Sequence, residues 1–258
     1  MAVGDSVGVM LISDGTGMIE SVEPRQRSLS RLDPQPRGFY RQIMLANPDQ
    51  VVLVFACAHP EPHLRMLDRF LVIAEKNGIP AFIVANKIDI TGPEKAGEIF
   101  AVYPGLGYPV LFTSTINGEG IEPLREKLVG KISAFAGPSG VGKTSLLNQI
   151  QPELGLKVRE VYAHLEQRGR HTTNVREMFP IAGGGYVADL PGLRSLALWD
   201  TQPEELDGYF PELRGLVADC QFNDCKHMNE PGCAVIRAVE QGEVNPERYE
   251  SYLKLRFG

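Results

Sequence analysis

The sequence of 258 residues has no apolar run of the ~18 or more residues that a membrane-spanning helix requires. Its first residues, Met1 to Asp5, lack the basic and then apolar segments of a signal peptide. It also contains no internal repeat and no low-complexity tract. A globular protein located in the cytoplasm, without membrane contact, is therefore the expectation.

The sequence also lacks an excess of positive charge. Lys and Arg number 26 against 32 Asp and Glu, so the net charge is −6 and general polyanion binding is excluded. One segment nevertheless concentrates arginines beside a few acidic residues: Arg25, Arg27, Arg31, Arg37 and Arg41, with Glu20, Glu23 and Asp33. A charge run of this kind is either a solvated loop or a local RNA contact, and both interpretations stay open.

Cysteine is scarce, with four in the chain. Cys57 stands alone in an apolar strand and is interpreted as an inert core thiol. The others form a short cluster with a histidine: Cys220, Cys225, His227 and Cys233. In a cytosolic chain such clustering favours a metal over disulfides, and three thiolates with one imidazole suit a closed, tetrahedral structural zinc site, one per chain. Ordinary reduced thiols are the alternative.

A glycine-rich segment matches the phosphate-binding pattern Gly-x4-Gly-Lys-Thr. It comprises Gly137, Pro138, Ser139, Gly140, Val141, Gly142, Lys143 and Thr144, and Ser145 follows it. The segment lies between a predicted strand, 131–136, and a predicted helix, 144–150, as the motif requires. We expect its backbone N–H groups to surround the β-phosphate, Lys143 to bridge the β- and γ-phosphates, and the Thr144 hydroxyl to bind Mg²⁺.

A guanine-specificity motif, Asn86-Lys87-Ile88-Asp89, precedes this phosphate loop in the chain. The Asp89 carboxylate can accept two hydrogen bonds from N1 and N2 of guanine, which adenine cannot offer. Lys87 can lie along the plane of the base. At the end of the next predicted strand, Ser114 and Thr115 can offer backbone N–H groups to the guanine oxygen. Ordinary GTPases carry the two motifs in the opposite order.

A third nucleotide element, Asp189-Leu190-Pro191-Gly192, ends an apolar strand. We expect Asp189 to reach Mg²⁺ and the Gly192 N–H to meet the γ-phosphate. The first switch must lie before it, in Gly169–Asn174. Either Thr172 or Thr173 completes the Mg²⁺ sphere there, and we favour Thr173.

Many GTPases carry a water-orienting glutamine just after this element. Here the position holds Leu193, whose side chain cannot orient water. His171 is the best local candidate for a catalytic group; the alternative is that it only packs or forms hydrogen bonds within the switch. Hydrolysis by the isolated chain is therefore expected to be slow.

From Gln50 onward the predicted strands and helices alternate, which indicates an α/β domain with a mostly parallel sheet. Three units are predicted: a small β module at 1–46, a circularly permuted GTPase domain at 47–198, and a helical zinc-binding module at 199–258.

The order of these motifs, followed by the cysteine cluster, resembles that of the circularly permuted, ribosome-small-subunit-dependent GTPases, the RsgA family. The resemblance runs from about residue 42 to the C-terminus. It implies GTP hydrolysis that is stimulated by the small subunit and coupled to late maturation of the 30S subunit, contact with 16S ribosomal RNA, and a zinc-bearing C-terminal domain. The family's N-terminal domain is a five-stranded OB barrel. Only two or three strands are predicted here, which indicates a truncated or a reduced barrel.

The leading hypothesis is a monomeric GTPase whose nucleotide state controls its binding to the small subunit. The chain runs from Gly192 directly into the cysteine-bearing module, so ordering of the switch could re-aim that module. The alternative is an RNA-binding scaffold that holds guanine nucleotide with negligible turnover, which Leu193 would favour. A P-loop phosphotransferase is disfavoured, because the guanine motif is present and no acceptor motif is recognisable.

Overall fold

The computed structural model describes residues 1–12, 15–32, 41–152, 178–190 and 201–258. Among these residues, every helix is too short or too polar to cross a bilayer.

Two antiparallel hairpins form the N-terminal part. Their strands are β1 (Val7–Leu11), β2 (Gly17–Val22), β3 (Ser28–Leu32) and β4 (Arg41–Ala46). The structure thus contains four strands where the sequence indicated two or three. The pairing of β3 with β4 was missed because the segment rich in arginine and proline between them is typical of a loop. Leu29 of β3 and Leu45 of β4 are buried against the main sheet, so this hairpin is fixed by packing.

A six-stranded sheet forms the centre of the molecule. Its strands are β5 (Gln50–Ala56), β6 (Ala81–Asn86), β7 (Val110–Thr113), β8 (Ile132–Ala136), β9 (Met178–Pro180) and β10 (Tyr186–Asp189), in the spatial order β7-β6-β5-β8-β10-β9. Only β9 is antiparallel to its neighbour. The predicted α/β class with a mostly parallel sheet is therefore confirmed.

Helices cover both faces of this sheet. They are α1 (Leu64–Lys76), α2 (Ile88–Thr91), α3 (Pro93–Ile99), α4 (Val102–Gly105), α5 (Ile121–Leu128) and α6 (Lys143–Ile150). Successive side chains of a strand point to opposite faces, so Leu53 and Phe55 of β5 join one core with α1, while Val52 and Val54 join the other with α5 and α6. This burial on both faces explains why β5 is a continuous apolar run.

The C-terminal part is a compact set of short helices. They are a 3-10 helix at Pro203–Tyr209, α7 (Pro211–Arg214), a 3-10 helix at Val217–Asp219, α8 (Ala234–Glu240) and α9 (Pro246–Phe257). The sequence sets the start of α9: Asn245 accepts hydrogen bonds from the N–H groups of Glu247 and Arg248, and Pro246 occupies the first helical position. Its Tyr252 packs with Phe210 and with Val72 of α1, so this part is docked on the central sheet through α1.

The parallel arrangement places the carboxyl ends of β5, β6, β7, β8 and β10 at one edge of the sheet. Ligands of open α/β sheets bind outside such an edge. The predicted nucleotide motifs follow β6, β7, β8 and β10 directly, so the topology brings together segments that are far apart in the sequence.

Candidate nucleotide and metal sites

The phosphate-binding loop leaves β8 and runs into α6 through two positions that only glycine can occupy. Gly137 has φ of 153°, and a Cβ there would lie 2.0 Å from the Val54 oxygen. Gly142 has φ of 95°, and a Cβ there would lie 2.4 Å from Nδ2 of Asn86. The backbone therefore passes close to β5 and to the end of β6, which leaves its N–H groups at the N-terminus of α6 for an anion.

Lys143 lies folded across this loop. Its Nζ donates to the carbonyl oxygens of Gly137 and Pro138 at 2.9 and 2.7 Å. Burial lowers the pKa of Lys143, and the nearby Asp189 carboxylate opposes that shift. The ammonium is thus held by neutral acceptors that a phosphate could replace.

Asp189, at the end of β10, is the acidic group of the site. Burial raises the pKa of Asp189, and the positive charge of Lys143 opposes this shift. Its Oδ1 atom is buried and has no hydrogen-bond partner among the described residues. A buried carboxylate oxygen without a partner, beside the start of the helix that carries Thr144, fits an oxygen-liganded cation such as Mg²⁺.

Asn86 connects the guanine motif to the two loops beside it. Its side chain is completely buried; Nδ2 donates to the Val141 oxygen at 2.8 Å, and Oδ1 accepts from the Thr113 hydroxyl at 3.0 Å. The amide therefore holds the phosphate-binding loop and the end of β7 in register with β6. A strand-end asparagine serving only a local turn would not make both contacts.

Lys87 occupies the left-handed region at φ of 67°, and its Nζ donates to the Gly140 oxygen at 2.7 Å and to the His59 oxygen. Its side chain therefore lies across the phosphate-binding loop, and its role beneath the base stays a prediction. His59 lies in the loop after β5, and the hydrogen bond that its carbonyl oxygen accepts was not predicted, since a backbone acceptor leaves no sequence signal.

Asp89 is exposed in the first turn of α2, and the Ser114 hydroxyl donates to its Oδ1. From the sequence, only backbone contacts are predicted for Ser114 and Thr115. The structure adds two further bonds: the Ser114 hydroxyl orients Asp89, and Gln149 of α6 donates to the Thr115 oxygen at 3.3 Å. The spacing of these residues in sequence gave no indication of either contact.

Five predicted residues lie outside the described part of the chain: His171, Thr172, Thr173, Gly192 and Leu193. Their assignments stay predictions.

The cysteine cluster is assembled as the sequence suggested. The ligand atoms of Cys220, Cys225, His227 and Cys233 all lie within 4.8 Å of one another, and all but Cys220 are buried. Burial raises the pKa of the Cys225 thiol to about 12 and also raises that of Cys233, so a metal ion that binds here must displace thiol protons. Three sulfurs and one imidazole nitrogen are the donor set of a closed zinc site.

A carboxylate supports the loop that carries these ligands. Glu230 accepts hydrogen bonds from the N–H groups of Lys226, Met228 and Asn229. Although its partial burial acts in the opposite direction, these backbone bonds lower the pKa of Glu230 to about 2. The loop is therefore shaped by bonds that do not need the metal.

The family model described as RsgA GTPase matches residues 22–199. The small ribosomal subunit biogenesis GTPase RsgA of Gemmatimonas aurantiaca is 48% identical over 99% of this chain and 83% of its own length. The protein of the same name from Thermotoga maritima is 44% identical over 99% of this chain and 82% of its own length.

Solved structures agree with these relatives. The crystal structure of YjeQ from Thermotoga maritima has a TM-score of 0.83 and 40% identity, and the match covers all of this chain and 84% of that one. YloQ, described as a circularly permuted GTPase, has a TM-score of 0.77 and 33% identity, with 99% and 79% of the two chains covered. The family model spans more than half of the chain and the relatives match nearly all of it, so this chain belongs to the RsgA GTPase family.

Proposed function

We propose that this protein hydrolyses GTP to GDP and phosphate and that hydrolysis is coupled to late maturation of the 30S ribosomal subunit. The observation that carries the proposal is the joining of the guanine and phosphate loops at one sheet edge, through Asn86 to the Val141 oxygen and Lys87 to the Gly140 oxygen. The names of the relatives, which are small-subunit biogenesis GTPases, give the process.

In the proposed binding mode, guanine lies over Lys87 and its N1 and N2 groups donate to Asp89, which Ser114 orients. Asn86 fixes the distance between base and phosphate subsites, while the loop from Gly137 to Ser145 wraps the phosphates. Lys143 exchanges its two carbonyl partners for β- and γ-phosphate oxygens, which are better acceptors for an ammonium.

We assign Mg²⁺ binding to Thr144, Thr173 and Asp189. When bound, the ion would neutralise charge on the β- and γ-phosphates. The described residues contribute preorganisation: the buried Oδ1 of Asp189 has no hydrogen-bond donor among them, and Lys143 balances its charge. The Gly192 N–H is proposed to meet the γ-phosphate.

Because Leu193 cannot orient water, we propose that His171 or a group supplied by the subunit does so and that turnover is slow without the subunit. Single-turnover hydrolysis by a His171→Ala variant decides between the two. Unchanged subunit-stimulated turnover with retained nucleotide affinity would remove His171 from the mechanism.

We further propose one structural zinc ion at Cys220, Cys225, His227 and Cys233, and a division into units at 1–46, 47–198 and 199–258. The protein is proposed to act in the cytoplasm as a monomer and to contact 16S ribosomal RNA partly through the N-terminal hairpins. We do not propose Arg25 as an RNA contact, because its guanidinium donates two hydrogen bonds to Asp5, at 2.6 and 2.8 Å.

GTP turnover measured with and without isolated 30S subunits tests the function directly. We expect slow turnover alone and marked stimulation by subunits. Negligible turnover in both cases would instead support a scaffold that only holds guanine nucleotide. Equal subunit affinity with GDP and with a non-hydrolysable GTP analogue would contradict control of binding by the nucleotide state.

A further inference from the structure

The two ring nitrogens of His227 face different surroundings. Nδ1 lies 3.6 Å from the Cys220 sulfur and 3.4 Å from the Cys233 sulfur, on the side of the candidate metal. Nε2 points away from the sulfurs and lies 3.2 Å from Oδ2 of Asp207. The imidazole is completely buried, so water cannot replace this carboxylate as its partner.

Asp207 comes from another element, the 3-10 helix Pro203–Tyr209, and it is held from a second side. Nη1 of Arg256, near the end of α9, lies 3.6 Å from the same Oδ2 atom. Arg256 is 5% exposed and also donates to the Tyr252 hydroxyl, so its own position is fixed. The carboxylate is thus supported by a cation and cannot turn away from His227 without leaving that cation unpaired.

The backbone around His227 is fixed independently. Its φ is 59°, a left-handed conformation that few residues other than glycine adopt, and its carbonyl oxygen accepts a bond from the Tyr249 hydroxyl of α9. The ring lies 5.9 Å from that of Tyr252, centroid to centroid. The backbone position of His227 is therefore fixed by α9, and its Nε2 atom faces the Asp207 carboxylate.

We propose that Asp207 is a positioning residue for the metal: it accepts the Nε2–H of His227 and so makes Nδ1 the ligand atom. A neutral imidazole carries one N–H, and a carboxylate at Nε2 retains that hydrogen there and leaves the Nδ1 lone pair facing the thiolates. Arg256 holds the carboxylate in place. This inference rests on the proposed zinc site and adds to it the residues that decide how strongly the metal is held.

Zinc affinity of the full-length chain tests the assignment. Competition with a chromophoric chelator would be measured for the wild type, Asp207→Ala and Asp207→Asn. Glu204→Ala is the matched control, an exposed carboxylate on the same 3-10 helix. We expect Asp207→Ala to weaken zinc binding by about 10- to 100-fold. The amide oxygen of Asp207→Asn can still accept the N–H, so its loss should be smaller, and Glu204→Ala should bind as the wild type does.

Heteronuclear NMR of the His227 ring in the zinc-loaded wild type gives a readout that needs no variant. Metal on Nδ1 with a proton on Nε2 is the expected result. Metal on Nε2, or an Asp207→Ala variant that binds zinc as tightly as the wild type, would overturn the inference while leaving the zinc site intact. A wild-type chain purified with far less than an equimolar amount of zinc would instead remove the site itself, and the inference with it.

Discussion

The guanidinium of Arg248 donates to the carboxylate of Asp68 at 2.6 Å and thereby joins α9 to α1, across 180 residues of sequence. Both side chains are almost completely buried. Arg248 also donates twice to Glu212 of α7, and its guanidinium lies 4.6 Å from the Phe210 ring centroid. One cation thus satisfies two buried carboxylates from different parts of the fold.

Replacing Arg248 by Met should destabilise the protein strongly. The change removes the cation but leaves Asp68 and Glu212 buried, and removal of one partner from such a group costs about 3–5 kcal/mol. Asp68 would keep only the Tyr103 hydroxyl, which donates to it at 2.9 Å. Denaturant unfolding measures the loss, and limited proteolysis would show whether the C-terminal part is released first.

Arg237→Ala serves as the control for this change, because Arg237 is an exposed cation on the neighbouring α8. It should change stability by no more than about 0.5 kcal/mol. Arg248→Lys keeps the charge but cannot form the two-bond fork with Glu212, so an intermediate loss is expected. Similar unfolding midpoints for Arg248→Met and Arg237→Ala would refute the anchoring role of Arg248.

Substituting Gly142 by alanine should weaken nucleotide binding more than it weakens the fold. The new methyl group would meet Nδ2 of Asn86 and would hold the loop at a φ that alanine rarely adopts. Fluorescent GDP titration reports the loss of affinity. Gly97→Ala in α3 is the control: no heavy atom of the described residues lies within 4 Å of its Cβ position, so binding should be unchanged and stability slightly increased.

Local sequence was sufficient to predict that the motif-bearing loops lie at strand ends, while their binding of nucleotide stays a prediction. Each motif directly follows a strand, and Gly137 and Gly142 mark backbone positions that a side chain would block. The parallel sheet then followed from the alternation of strands and helices. The bonds from Asn86 to Val141 and to Thr113 were not predicted, because they depend on the sheet edge where the ends of β6, β7 and β8 meet.

Contacts between distant elements could not be predicted in the same way. Arg248 looks like any charged residue on an amphipathic helix until Asp68 and Glu212 are known to face it. The contact of Asp207 with His227 was missed for the same reason. Such pairs depend on how packed elements are oriented, which residue type and spacing do not encode locally.

The Asp5–Arg25 pair makes the N-terminal hairpins sensitive to acid. The hydrogen bond from Arg25, aided by the Ala2 N–H, lowers the pKa of Asp5 from 3.8 to about 2. A lowered carboxylate pKa gives stability that is present above the unfolded value and is lost as the pH falls through the folded value. The stabilisation should therefore disappear between about pH 4 and about pH 2.

Titration of the side-chain carboxyl carbons by NMR would place the Asp5 midpoint directly, and hydrogen exchange of residues 3–6 would follow the opening of the segment. Asp5→Asn should abolish this part of the acid sensitivity, whereas Glu23→Gln, at an exposed carboxylate after β2, should leave it in place. An Asp5 midpoint at the ordinary value of 3.8 would show that the ion pair is absent in solution.

Thiol labelling should distinguish the two classes of cysteine. Burial raises the pKa of Cys57 to about 11, against the effect of a hydrogen bond with Thr91, so near neutral pH this thiol is protonated as well as shielded. In the zinc-loaded chain we expect no rapidly reactive thiol. A chelator should expose the three clustered thiols, and only denaturant should expose Cys57. Rapid labelling of the cluster before chelation would argue against bound metal.

Asp89 should determine which base the protein binds. Guanine presents N–H donors at N1 and N2, and the carboxylate can accept both; the amide of Asp89→Asn offers one acceptor and one donor. Each hydrogen bond to a charged group contributes about 1.5–3 kcal/mol, so GTP affinity should fall by about tenfold or more. Xanthine has an oxygen in place of the N2 amine, and it should therefore bind the variant better than guanine does.

Ser114→Ala tests the orienting bond separately: the carboxylate stays and the hydroxyl that donates to it is lost, so GTP should bind more weakly without any change of base preference. Competition of GTP, ATP and xanthosine triphosphate against fluorescent GDP measures the nucleotide affinities of the wild type, Asp89→Asn and Ser114→Ala. Asp89 is the acidic group that the structure places beside Ser114 at the end of β7. If Asp89→Asn kept its preference for GTP, a group other than Asp89 would have to recognise the base.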